Sequence, residues 1–320
     1  MTVLATVDLP PSADPQGIDA SAADSLSRLL ETNHIVYFPH CPLPLPDAAT
    51  LQFLRSALPT KLRLKNVSYH PEADRLTGLE ADEATRERVT AVLRGHLRGV
   101  TSFLGRLAPH LAAGWTIGTC SFRPIQERGR NLKPHASNEL VHIDAGAYGA
   151  THGDRILRFF VNVSDGEDRV WASKGPFTDL LARHGAAAGL LDASGRLRQR
   201  IDEGSADHAF SSLIAGLARL NPLARVLDSS PYDRAMRRLH NYMKDSAAFK
   251  LDARGYEEIR FPPRSAWTVF TDGVSHASLS GQFALVTTMI VRRQALRHPE
   301  FAPYSLLAAS AASRSITSSA

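Results

Sequence analysis

Cysteine is scarce in this chain: Cys41 and Cys120 are the only two in 320 residues. Far apart and outside any Cys-x-x-Cys spacing, they supply neither a disulfide framework nor a zinc ribbon, a usage that fits a reducing cytoplasm. No run approaches the about eighteen apolar residues of a membrane-spanning helix. The opening MTVLATVDLPPSADP lacks the basic start and long apolar stretch of a secretory signal, so a cytoplasmic protein is expected. Also missing are G-x-G-x-x-G, a Walker A loop and any internal repeat, which argues against a nucleotide-binding α/β sheet or a solenoid. There is no G-x-S-x-G elbow around Ser275 and no activating base beside Cys120, so no nucleophile stands out.

What is present is an ordinary globular composition, 43% hydrophobic and 22% charged. A net charge of +5 favours an acidic partner: an anionic small molecule, a phospholipid surface or nucleic acid. The basic residues are scattered or in short clusters such as Arg234/Arg237/Arg238 and Arg292/Arg293, with no nucleic-acid module around them, which disfavours the last.

Residues 1–19, rich in Pro, Ser and Asp, read as an irregular arm. Helical spacing predicts helices over 21–32 and 47–57 around a strand at 34–39, and one long or two consecutive amphipathic helices over 82–113; residues 61–78 show no clear period. Strand character appears at 115–122, around His142, and most strongly at 156–163, ILRFFVNV. Helices are expected at 177–184, 207–218 and 232–246, then strands at 259–261, 267–271 and 283–291. This order predicts a mainly β core wrapped by helices (α+β), with a jelly roll as the natural architecture. Its parts are a mainly helical stretch at 1–114, core strands within 115–173 and 256–293, a helical insertion at 174–250 and a tail at 294–320, all in one domain.

The chemistry centres on His142-Ile-Asp144. Two metal-capable side chains two residues apart in an extended segment share a face. His70-Pro-Glu72 and His298-Pro-Glu300 fit the same pattern, but proline is poorly tolerated inside a sheet and makes them turn or loop pieces. The third ligand must come from afar, and His276 in WTVFTDGVSHASLSGQFALVTTMIV is the best candidate. Two histidines and one carboxylate with open positions form the ligand set of non-haem Fe(II) oxygenases; the bland alternative is a surface or satisfied core pair.

Arg158 interrupts the most apolar strand, where a guanidinium is costly unless paired. It could clamp the distal carboxylate of 2-oxoglutarate bidentately, or pair with a structural acid. Arg123, in SFRPI, is a second such arginine; Arg292 and Arg293 compete as carboxylate anchors or mark a strand emerging into solvent. His135, His152 and His240 are further candidates for substrate contact, although His240, beside Arg237 and Arg238, reads more simply as part of a solvated helix face.

KNVSYHP at 65–71, SFRP at 121–124, VHIDA at 141–145, GDRILRFFVNV at 153–163, RVW at 169–171, LHNYMK at 239–244 and VFTDGVSHASLSGQFAL at 269–285 together resemble the Kdo hydroxylase family, over most of the chain. That resemblance implies a double-stranded β-helix, a jelly-roll variant, using Fe(II), 2-oxoglutarate and O2 to hydroxylate C3 of 3-deoxy-D-manno-oct-2-ulosonic acid (Kdo) in the lipopolysaccharide inner core. It implies His142, Asp144 and His276 as iron ligands, with Arg158 and Arg123 around the cosubstrate or the sugar carboxylate. An acidic sugar or glycolipid substrate, met at the cytoplasmic face of the inner membrane, would suit a basic protein. The chain departs from the family pattern at GAYGATHG, after HIDA, and at Lys174, where an acid is expected.

Overall fold

A computed structural model describes residues 2–9, 20–146, 149–220 and 228–312. α1 (Ala20–Glu31) joins β1 (Leu4–Thr6) to β2 (Ile35–Phe38), and the two strands run parallel. The expected irregular arm is therefore corrected at Leu4–Thr6, whose three residues are too few to show alternation; residues 10–19 lie outside the described residues. α2 (Ala48–Ala57) is N-capped by Asp47, which accepts from Thr50 N at 2.8 Å. The unassigned stretch holds a hairpin of β3 (Val67–His70) and β4 (Arg75–Thr77), turned by Pro71–Ala73 and by Asp74 at φ 43°. α3 (Glu83–Leu107) and α4 (Pro109–Ala112) are the two consecutive helices, broken where Pro109 has no N–H to donate.

The core strands are β5 (Thr116–Arg123), β6 (Arg155–Asn162), β7 (Arg169–Ser173), β8 (Glu257–Phe261), β9 (Ala266–Phe270), β10 (Ala277–Ser280) and β11 (Ala284–Val291). Between β7 and β8 the chain forms α5 (Phe177–His184), α6 (Ser205–Leu220), α7 (Pro231–Asp245) and α8 (Ala247–Leu251), and α9 (Pro303–Ala312) closes the described part. A large sheet has the order β1-β2-β9-β6-β11-β5-β3-β4 and a small one β10-β7-β8. Residues 138–144 extend the small sheet beside β10, with Ser278 N donating to Asn138 O and His142 and His276 exchanging both backbone bonds. The result is the two four-stranded faces of a jelly roll, β9-β6-β11-β5 opposite the 138–144 segment, β10, β7 and β8, with extra strands widening the first.

Alternation along β6 sorts its side chains. Leu157, Phe159 and Val161 face the helices, where Phe159 meets Phe38 and Phe103. Arg158 and Phe160 face inward. Phe160, Trp171, Trp267 and Phe261 fill one end of the space between the sheets, with Phe261 and Trp267 stacked at 3.8 Å. The rest of that space is a polar cavity. No helix among the described residues is long and apolar enough to cross a membrane.

On α3, His96 is buried with neither ring nitrogen hydrogen-bonded, and burial pushes its pKa down to about 4. The unfolded chain takes up the proton near pH 6.5, so folding stability is intact above that value and is lost progressively as pH falls towards about 4. We expect the unfolding free energy of His96→Leu, followed in urea, to escape about 2 kcal/mol of the loss the wild type suffers between about pH 7.5 and about pH 5.

Candidate metal centre and cosubstrate cavity

Strand pairing builds the metal centre. His142 N donates to His276 O at 3.0 Å and His276 N to His142 O at 2.8 Å, which sets the two residues directly opposite on one face of the sheet. Asp144 falls on that same face two residues on, where its N–H is held by Thr271 O at 2.9 Å. One nitrogen from each histidine and one carboxylate oxygen then lie within 4.8 Å of one another.

The imidazoles are oriented from behind. His142 Nδ1 sits 2.7 Å from Leu140 O and His276 Nδ1 3.1 Å from Val274 O, so each Nδ1–H donates to a carbonyl and each Nε2 lone pair is left for the cluster. Burial holds both rings below the usual imidazole range, outweighing the Asp144 carboxylate, which acts the other way. Burial would raise the Asp144 pKa, but its surroundings, the Arg158 guanidinium first among them, more than offset it and keep the carboxyl well below its usual range. Arg158 Nη2 is 3.0 Å from Asp144 Oδ2, yet its direction makes no hydrogen bond, and Oδ2 remains a buried acceptor without a donor. Two neutral nitrogens and an unsatisfied anionic oxygen converging on one point suit a divalent cation.

The cavity in front measures about 560 Å³. Its large-sheet wall is laid down in rows by register: Thr288 on β11 lies between Thr119 and Arg158, Val286 between Ser121 and Phe160, and Ala284 between Arg123 and Asn162. Arg123 is pushed down to about 10 by burial and by the charges of Arg158 and Arg169, and its Nε has no partner. Of the expected carboxylate anchors, Arg158 and Arg123 are thus brought to the cavity. Arg292 is not: it is exposed at the end of β11 and pairs with Asp154 at 3.1 Å, while Arg293 lies 4.0 Å over the ring of Tyr304. The solvent-emergent account of that strand end holds.

The other candidates divide. His240 is not on a solvated face; α7 packs along the 138–144 segment, and His240 Nδ1 donates to Ile143 O at 2.7 Å with its ring 5.1 Å from that of His142. His135 lines the cavity and bonds Asp245 at 2.8 Å. His152 lies elsewhere, held by Glu203 and by Asp228, and the tripeptide His152-Gly153-Asp154, a further match to the metal pattern, is spent on these ion pairs and on Arg292. Lys65, Lys244 and Trp171 also reach the cavity, Trp171 stacking on His276 at 5.1 Å; each lies in a stretch that carries the family resemblance, KNVSYHP, LHNYMK and RVW, but none was singled out as a site residue. Lys174 does not line it: its ammonium donates to Phe249 O at 2.6 Å and Lys250 O at 3.2 Å, capping α8, which needs a cation and not an acid. In GAYGATHG, Ala147 and Tyr148 lie outside the described residues.

A jelly roll whose small sheet presents two histidines and a carboxylate to an open cavity defines a non-haem Fe(II) oxygenase architecture. Residues 14–314 match the family of 3-deoxy-D-manno-oct-2-ulosonic acid (Kdo) hydroxylases, and the chain belongs to that family. Among solved structures it is similar to the apo form of the Kdo hydroxylase KdoO, described as a non-heme Fe(II) α-ketoglutarate-dependent dioxygenase. The identity is 27%, with a TM-score of 0.77 over 96% of this chain and 95% of that one. KdoO with α-ketoglutarate and Fe(III) matches at 26% identity and the same coverage and TM-score. The cobalt(II) complex matches at 26%, TM-score 0.78, over 100% and 99%. No curated protein sequence matches the chain.

Proposed function

We propose that this protein is an Fe(II)- and 2-oxoglutarate-dependent hydroxylase acting on C3 of Kdo in a lipopolysaccharide inner-core precursor, with His142, Asp144 and His276 holding the iron. The observation that carries the reading is the convergence of those three side chains on a cavity with two arginines and one carboxylate. Bound Fe(II) would supply, with 2-oxoglutarate and O2, the oxidant for an unactivated C–H bond.

The remaining work belongs to the chain. Leu140 O and Val274 O fix the tautomers of the ligand histidines. Arg158, beside Asp144, clamps the distal carboxylate of the cosubstrate; Arg123, four residues further along β11 by register and on the opposite flanking strand, faces the carboxylate of the sugar. The aromatic plug of Phe160, Trp171 and Trp267 keeps water from one end of the site.

Anaerobic addition of Fe(II) and 2-oxoglutarate to the purified protein should give the visible charge-transfer band of a chelated complex. Absence of the band in the wild type would leave a non-catalytic binding module as the better account. Arg158→Ala should weaken the band and raise the KM for 2-oxoglutarate about a hundredfold, the value of a lost charge-assisted bidentate contact. Arg123→Ala should leave the band and raise the KM for the sugar by a similar factor. The reverse pattern would exchange the two assignments.

A further inference from the structure

Among the described residues, α7 is the only α-helix that lends side chains to the cavity wall, His240 and, one turn on, Lys244. The Lys244 ammonium is engaged, donating to Ser137 O at 2.9 Å and His135 O at 3.1 Å. His240 is engaged at one nitrogen only. Its Nδ1 lies 2.7 Å from Ile143 O, and a carbonyl can only accept, so the proton sits on Nδ1 and Nε2 carries a lone pair. No group among the described residues meets Nε2, and the atom is not sealed off but open to the cavity that the ring lines.

That lone pair is unlike its surroundings. Arg123, Arg158, Lys65 and Lys244 are cations that can only donate, and the one carboxylate in the wall, Asp144, belongs to the metal centre. Serine and threonine hydroxyls nearby rotate to give or to take; Nε2 is a fixed acceptor. Its ring is tied to Ile143 O and meets the ring of His142 edge-on, at 78° with 5.1 Å between centres. The ammonium of Lys244, one turn along the same helix, disfavours a second proton on it.

We propose that His240 Nε2 accepts a hydrogen bond from the hydroxyl on C4 of the sugar, the neighbour of the carbon attacked, and thereby selects which acidic sugars are taken. The proposal deepens the function above and rests on it for the substrate. C3 of Kdo is a methylene between C2, which carries the carboxylate, and C4, which carries a hydroxyl. With Arg123 on the carboxylate and His240 on the hydroxyl, both neighbours are anchored and the methylene between them is oriented. A carbon under attack must lie beside the metal, and a ring in contact with a metal ligand is well placed to hold the group one atom further on.

A histidine that only supported the Ile143 carbonyl, and through it Asp144, would have no use for Nε2. Two variants separate the roles. Asparagine places an amide N–H where Nδ1 stood, so His240→Asn keeps the bond to Ile143 O and loses the acceptor; His240→Gln places its amide where Nε2 stood and can present an oxygen there.

The experiment adds a methyl glycoside of Kdo, or its 4-deoxy counterpart, to the anaerobic protein loaded with Fe(II) and 2-oxoglutarate, and reads each Kd from the change in the visible band as the sugar seats. The wild type should bind the 4-deoxy sugar roughly five- to tenfold more weakly, the value of one neutral hydrogen bond. In His240→Asn that ratio should fall to about one through weaker binding of the hydroxylated sugar alone, and His240→Gln should restore most of it. The band without sugar should persist in both. Equal Kd values in the wild type, or a ratio undiminished in His240→Asn, would overturn the contact; a wild-type ratio in His240→Asn with binding lost in His240→Gln would reduce the residue to a support for Ile143. A wild type that gives the band and binds neither sugar would instead overturn the sugar reading above, and this proposal with it.

Discussion

His142→Ala or His276→Ala is expected to lower turnover at least about a thousandfold and to abolish the charge-transfer band, with the melting temperature shifted by only a few degrees. Loss of groups behind a metal ligand costs about 10–100-fold, so loss of a ligand must cost more. The modest structural effect follows from what ties the two segments together. His142 and His276 exchange backbone hydrogen bonds, which alanine keeps. What is lost structurally is one Nδ1–H bond to a nearby carbonyl, about 1 kcal/mol. Metal content, calorimetry and turnover of the two variants check the prediction; unchanged activity in either would dismiss that residue as a ligand.

Arg155→Ala should destabilise the protein by about 3–5 kcal/mol in denaturant unfolding. Arg155 is fully buried at the start of β6, and its Nε donates to Asp272 Oδ2 at 2.6 Å. Its Nη2 donates to Asn33 Oδ1 at 2.8 Å, and its guanidinium lies 4.2 Å from the centre of the Phe270 ring. Removing it strands the buried Asp272 carboxylate, which burial already disfavours, without its guanidinium partner. The turn next to it has no slack: a Cβ on Gly273 would lie 2.3 Å from Arg155 Nη2 and 2.0 Å from Asn33 Oδ1. That turn leads to His276, so the surviving folded fraction should also bind Fe(II) more weakly. Arg155→Met/Asp272→Leu, which removes both charges, should recover most of the stability; if it does not, the cost lies in packing and not in the stranded carboxylate.

The metal cluster was legible because two of its residues lie two apart in a strand-like run and the third lies between two others. Period two and a jelly roll were enough to bring His142, Asp144 and His276 together. Strands β7 and β10 escaped notice for physical reasons: RVWAS is buried at every position and lacks the alternation of a half-buried strand, while ASLS is four residues long and built largely of alanine and serine, with both serines buried. His240 was misjudged because Arg237 and Arg238 beside it are exposed, Arg238 nearly opposite on the helix, while Met236, Leu239 and Met243 bury the face next to its own. Arg292 and Lys174 show the limit of reading a cation by type. One meets Asp154 and the other two helix-end carbonyls, partners set by tertiary structure alone.

The paired backbones of His142 and His276 have a thermodynamic corollary. The 138–144 segment is the outermost strand of the small sheet, reached through long loops and fastened to β10 by few hydrogen bonds. An ion gripped by side chains on both sides of that seam acts as a rivet, and whatever it gains by binding is added to the free energy of strand opening. Iron would then govern whether the edge of the barrel stays shut as well as whether the reaction runs, and an iron-starved pool of this protein would be one with a fraying seam.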